Sequence, residues 1–274
     1  MRNMKIVVAA GAMLTSGAAF AADLPLAPPP YIPPVVEFGG WYLRGDIGMT
    51  NQRLKSLDSA ASPLITSESG LGFDSATLWG GGVGYQFNNW FRMDVIGQYR
   101  GKANFHGSQT ILRGPGDHLA DNYTGSKSES LFLVNAYADL GTWWCITPFI
   151  GAGVGTSYNY ISGFRDDGFS SPGGVAGAPA ITYFENHGKW NFAWAAHAGL
   201  AYKVSPNLTM ELAYSYVNLG DAAPGNFSAY DGSASGPTTV RFRDITSHDL
   251  KLGVRWAIDP VPAYAPPPPL ITKG

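Results

Sequence analysis

A two-residue rhythm constrains this chain more than any other feature. Apolar and polar side chains alternate in eight segments: residues 41–49, 76–87, 90–100, 130–140, 147–160, 192–204, 208–217 and 248–258. Successive side chains of a strand point to opposite faces, so this pattern predicts eight strands, each with one apolar and one polar face. In WYLRGDIGM, Trp41, Leu43, Ile47 and Met49 oppose Tyr42, Arg44 and Asp46. In ATLWGGGVGYQF, Trp79, Val83 and Tyr85 oppose Gly80, Gly82 and Gly84, and the same device returns at Gly151, Gly153 and Gly155. GGGVG lacks the Lys-Ser/Thr pair of a phosphate loop, and no helical pattern follows it. A soluble sandwich also alternates, but it carries its charges outside and needs no glycine among them. Aromatic faces backed by mixed charge and glycine fit a wall with lipid outside and a crowded polar interior. The glycines are expected to make room there for bulky charged residues such as Arg92 and Arg100.

The gaps between these segments alternate in length. Residues 50–75, 101–129, 161–191 and 218–247 form long connections; Asn88-Asn89, 141–146 and Ser205-Pro206-Asn207 form short ones. Long loops on one side and short turns on the other are the layout of an outer-membrane barrel, with both chain ends in the periplasm. About 10 residues per strand, each rising about 3.3 Å and tilted, cover the apolar band of roughly 25 Å. Trp41, Phe87, Trp90, Trp143, Trp144 and Trp256 fall near strand ends, where interfacial belts belong. The predicted class is therefore all-β, an eight-stranded antiparallel up-and-down transmembrane β-barrel. Ten strands stay open if 161–191 forms a further hairpin.

The ends of the chain read differently. Residues 1–21 have a basic start (Arg2, Lys5), a short apolar run and an AAFA ending, which predicts a cleaved export signal. The apolar run is shorter than the roughly 20 residues that span a bilayer. Residues 22–37 and 259–274 are proline-rich and are expected to be extended periplasmic segments flanking a barrel of residues 38–258. Losing Arg2 and Lys5 with the leader moves the net charge from −2 to −4, which does not suggest a nucleic-acid partner. A single cysteine, Cys145, excludes an internal disulfide.

The polar faces would place Arg44, Asp46, Arg92, Asp94, Arg100, Asp139, Lys203, Glu211, Asp249, Lys251 and Arg255 in one narrow lumen. Eight strands leave an interior that side chains fill, and charges buried there must pair. A salt-bridged plug is the expected result; a narrow path for ions or small solutes is the alternative. No catalytic, cofactor or metal site is expected. Ser247-His248-Asp249 places neighbours on opposite faces of a strand, and His106, His118 and His187 fall singly in loops. Nucleophile-elbow, zinc-protease and Cys/His-cluster patterns are missing, and RDDGFSSPGG lacks the ligand spacing of a calcium loop. The long connections are rich in Gly, Ser, Asp and Pro and could contact a host surface or a phage.

NAYADLGTWW and TPFIGAGVG within 135–155, AYSYVNLGD (213–221) and HDLKLGVRW (248–256) resemble the alphaproteobacterial outer-membrane immunogenic proteins, OmpA-like eight-stranded barrels. The resemblance covers most of residues 38–258. It implies a surface antigen with a mainly structural role in the cell envelope and no enzymatic residues. Its implied partners are outer-membrane lipid, lipopolysaccharide and the barrel-assembly machinery. In some relatives the mature amino terminus is joined to peptidoglycan, and the Ala22-Asp23 start is similar, which implies attachment at Ala22. One departure is the carboxyl end. Such barrels usually finish on an aromatic residue, whereas here Trp256-Ala257-Ile258 precedes a further tail.

Overall fold

A computed structural model of the protein describes residues 39–258 apart from 176 and 178. The export signal, the segment holding Ala22 and the tail 259–274 lie outside the described residues. Among the described residues, thirteen strands form one antiparallel sheet. They are β1 (Gly40–Arg53), β2 (Ser56–Asp58), β3 (Ile65–Phe73), β4 (Ala76–Gln86), β5 (Phe91–Gly114), β6 (Asp117–Asp139) and β7 (Ile146–Ser171). The others are β8 (Pro179–Phe184), β9 (His187–Lys203), β10 (Leu208–Ala222), β11 (Phe227–Ala229), β12 (Ser235–Gly236) and β13 (Arg241–Ala257). Pairings β1–β4, β4–β5, β5–β6, β6–β7, β7–β9, β9–β10, β10–β13 and β13–β1 close a ring of eight strands. A hairpin does form within 161–191, but it adds no strand to the wall: β8 pairs with β7 at Arg165–Phe169 and with β11, outside the ring.

The alternation sorts side chains as the sequence predicts. Leu43, Ile47 and Met49 stay exposed on the outside, with Ile47 at 64%, while Tyr42, Arg44 and Asp46 are buried inside. An exposed apolar face this continuous is stable only against lipid. Short turns close one end. Asn88 Oδ1 accepts hydrogen bonds from the amides of Trp90 (3.0 Å) and Phe91 (2.7 Å), so the asparagine fixes its own turn. Ser205 Oγ does the same for Leu208 N at 3.1 Å. At the turn within 141–146, Trp144 and Cys145 both take left-handed backbone (φ 49° and 67°), as a two-residue hairpin bend requires.

The inner glycines are needed for close approach. A Cβ on Gly84 would overlap the Tyr42 ring, and one on Gly153 would overlap the Asn135 amide. The expectation that they make room for Arg92 and Arg100 needs correcting. Those at 80, 82 and 84 lie against Gln98, Ile96 and Tyr42, and those at 151 and 153 against Tyr137 and Asn135. The crowding comes from uncharged neighbours on the adjacent strand.

The largest departure from the sequence reading is at the other end. Most of the four long connections are sheet. β5, β6 and β7 run for 24, 23 and 26 residues, well beyond a bilayer's thickness. The predicted loop 101–129 narrows to the bend between Gly114 and Asp117, where Gly116 takes φ 72°. An irregularity between Arg100 and Ala103 moves the inward set of β5 from even positions (Arg92, Asp94, Arg100) to odd ones (Ala103, Phe105). That shift lets one strand line the polar lumen below and an apolar core above.

Candidate functional site

The bore is filled in layers. Toward the end closed by the short turns, Arg44 Nη1 donates to Asp94 Oδ2 at 2.7 Å and Arg44 Nη2 to Asp46 Oδ1 at 2.8 Å. Glu211 gathers three cations: Arg255 Nε at 2.6 Å, Arg92 Nη2 at 3.3 Å and Arg44 Nη2 at 3.4 Å. Arg92 also reaches Asp139 at 3.2 Å, with its guanidinium 4.1 Å from the Tyr137 ring centre. Higher up, Arg100 bridges Asp249 (2.5 Å) and Glu129 (3.1 Å), and Lys127 pairs with Glu129. His197 joins the lower layer, sharing a hydrogen bond with Ser215 Oγ (2.7 Å) and another with Asn135 Oδ1 (3.1 Å). Asn135 in turn donates to Asp94 at 2.7 Å.

Ten of the eleven lumen charges expected from sequence are buried here: Arg44, Asp46, Arg92, Asp94, Arg100, Asp139, Glu211, Asp249, Lys251 and Arg255. Lys203 is the correction. It is exposed at the end of β9, where its amide bonds Cys145 O at 3.1 Å. Strict alternation puts it on the inner side, but the wall ends there and the side chain meets solvent. Sequence reasoning missed Lys127 and Glu129, which lay in a presumed loop. With them the bore holds six cations and six carboxylates, all buried. Charge balance could have flagged the gap, because the sequence-derived set had six cations against five acids.

Above this lies an apolar cap. Phe105 packs on Phe73, Phe242 and Phe164 with ring centres 5.2, 4.9 and 6.1 Å apart, and Tyr123 stacks on Phe164 at 5.8 Å. Leu57, Ile111, Ile161 and Ile245 are buried with them. Outside the membrane, the inner face of the extended sheet brings Asp121 and Asp166 together. Burial, then the charges of Asp121 and Asp167, push Asp166 up to about 8; burial also raises Asp121. Asp166 Oδ1 is enclosed without a hydrogen-bond partner, which suits a carboxyl that keeps its proton.

The remaining residues singled out from sequence do not converge. Ser247 and Asp249 point inward, 2.5 Å apart, while His248 lies on the outer side, bonded to Tyr214 Oη at 2.6 Å. His106, His118 and His187 are exposed and separate; His106 sits 3.7 Å from Asp74.

Comparison with known proteins places this architecture. Residues 7–257 match the family described as outer membrane protein beta-barrel domain. A Brucella abortus (strain 2308) protein of uncharacterized role is 28% identical, covering 93% of this chain and 98% of its own. Outer membrane protein PagN of Salmonella typhimurium is 26% identical over 80% of this chain and 90% of its own. A Rickettsia bellii protein designated a candidate adhesin is 28% identical over 80% and 88%. Among solved structures, the outer membrane protein OprG of Pseudomonas aeruginosa aligns at TM-score 0.42 and 15% identity, covering 81% of this chain and 97% of its own. The chain belongs to the outer membrane protein beta-barrel domain family, and its place is the bacterial outer membrane.

Proposed function

We propose that this protein is a closed surface barrel whose work is done outside the cell, by a rigid β platform that engages surfaces. The observation that carries this reading is the continuation of β5, β6 and β7 as paired sheet past the membrane, packed around its own aromatic core. A loop that binds must first be ordered, at a cost in conformational entropy; strands held by a core have already met that cost. The candidate adhesin among the relatives is consistent with the reading. Trimming the β5–β6 and β7–β8 tips should abolish adherence of expressing cells to host-cell or abiotic surfaces while the barrel still assembles. Unchanged adherence would remove the platform from consideration.

The channel alternative is disfavoured by a bore filled with buried charges, most of them ion-paired, and by the apolar cap above them. Purified protein in planar bilayers is therefore expected to show no sustained conductance steps. Support of the envelope, including a tether through Ala22, belongs to the same proposal. The barrel would anchor the outer membrane, and the proline-rich segment 22–37 would act as the spacer. Muramidase-released peptides carrying Ala22 joined to peptidoglycan are the expected product; free Ala22 alone would exclude the tether. Lipid and lipopolysaccharide would meet the exposed apolar wall, and the assembly machinery would read the last strand.

A further inference from the structure

The outward face of the platform carries a cleft of about 510 Å³ where β8, β11 and β12 lie side by side. Register fixes which side chains face it. Tyr183 pairs with Ser228 and Ser228 with Ser235, making one cross-strand row. Just beyond the strand ends, Glu185 donates its amide to Asn226 O at 2.9 Å and accepts from Gly225 N at 2.7 Å, and Pro237 follows Gly236. Glu185, Asn226 and Pro237 line the cleft together with the Tyr183–Ser228–Ser235 row. Phe184 and Phe227, between them, turn to the opposite face, where Phe184 meets Phe164 at 5.0 Å. Phe184, Phe227 and Gly236 complete the lining.

The chemistry of that lining is selective. Tyr183, 47% exposed, offers an aromatic face, and Pro237 an apolar ring opposite it. Glu185, Asn226, Ser228 and Ser235 offer acceptors and donors in paired positions. No Lys, Arg or His lines the cleft. The neighbouring cation, Arg165, lies over Tyr183 at 5.8 Å and is held by Asp167 at 2.7 Å. Because Arg165 is already held by Asp167, an anionic ligand would gain little counter-charge here, and a purely apolar one would strand the polar rim. A sugar ring satisfies both sides, because its C–H face stacks on an aromatic ring while its hydroxyls bond to carboxylate and amide.

We propose that the β8/β11/β12 cleft is a binding site for an uncharged saccharide, with Tyr183 as the stacking platform and Glu185 and Asn226 as the hydroxyl-recognising pair. The proposal deepens the reading of the platform as a recognition surface and rests on it. The test uses the full mature chain refolded in a detergent without a sugar headgroup. It is titrated with two neutral probes, maltotetraose and the N-acetylglucosamine tetramer, and with a heparin tetrasaccharide and a lysine-rich peptide as charged controls. The expected result is binding of at least one neutral probe, weakened about tenfold or more by Tyr183→Ala and by Glu185→Gln and retained by Tyr183→Phe. Heat-modifiable gel migration should be unchanged in all three variants. Failure to bind either neutral probe, equal binding by Tyr183→Ala and Glu185→Gln, or preference for heparin or for the peptide would each overturn the assignment. Adherence that depends on the tips without saccharide binding removes this site but leaves the platform reading. Saccharide binding by a chain that confers no adherence does the reverse.

Discussion

Below the level of Lys127 the inside of the barrel is filled by charge; above it, around Phe105 and Phe242, by aromatic rings. Both fillings close the same tube, yet they respond to damage differently. A buried ion network is sensitive at every member, because removing one partner leaves another charge stranded in low dielectric. An apolar core yields more gradually, since neighbouring rings relax into part of any space created. The polar layer therefore specifies a single interior arrangement, while the aromatic layer supplies cohesion where lipid no longer surrounds the wall. Burial of six cations with six carboxylates also explains why the bore needs so many hydrogen-bonding companions, Tyr42, Asn135, Tyr137 and His197 among them.

That contrast can be broken experimentally. The largest effect should come from Arg100→Met, which strands Asp249 and leaves Glu129 to Lys127 alone. A loss of about 3–5 kcal/mol is expected from urea unfolding in micelles, and replacing Arg100, Asp249, Glu129 and Lys127 together by apolar side chains of matching volume should recover most of it. In the cap, Phe242→Leu should cost less, about 1.5 kcal/mol, because ring contacts at 4.9 and 5.4 Å are loosened but no charge is exposed. Equal losses for these two substitutions would erase the distinction between the layers.

A smaller effect should depend on pH. Asp166 titrates at about 8 in the folded platform against an ordinary value of 3.8. The folded state therefore holds a proton that the unfolded chain releases, so its stabilising contribution is complete below about pH 4 and is lost as pH rises through 8. Thermal melting of the wild type should fall across pH 5, 7 and 8.5, and Asp166→Asn should flatten that slope. A wild-type melting point that rises over this range would contradict the burial of the carboxyl. Smallest of all is Lys203→Ala, expected within about 0.5 kcal/mol of wild type because the residue stands in solvent at the end of the wall. The same change at Lys127, paired to Glu129 in the bore, should cost several times more.

How far the sequence carried the fold depends on where lipid was. Within the membrane, the outward side is apolar and the inward side polar, so period 2 is visible in residues such as Leu250, Leu252 and Val254 against Asp249, Lys251 and Gly253. Above it both sides change. Outward positions become polar, as at Asn104 and Asn122, and inward ones become apolar, as at Phe105 and Tyr123. The signal inverts and is interrupted by the irregularity after Arg100, so a continuing strand reads as a loop. Lys127 and Glu129 were lost with that loop. The cleft walls at Tyr183 and Glu185 were likewise invisible, since β8, β11 and β12 are only 6, 3 and 2 residues long.

The amino-acid sequence by itself determined the closed antiparallel wall, the side that faces lipid, the three tight turns and all but two of the bore's charges. These depend on local alternation and on turn chemistry, both of which are written in consecutive residues. Only the tertiary structure decided which charges pair, that Lys203 falls beyond the rim, and that the long connections rise as sheet around Phe105, Phe164 and Phe242. Those facts depend on contacts between positions far apart in the chain, such as Arg100 with Asp249 and Arg44 with Glu211. They are fixed by the register and closure of the barrel, which no single segment encodes.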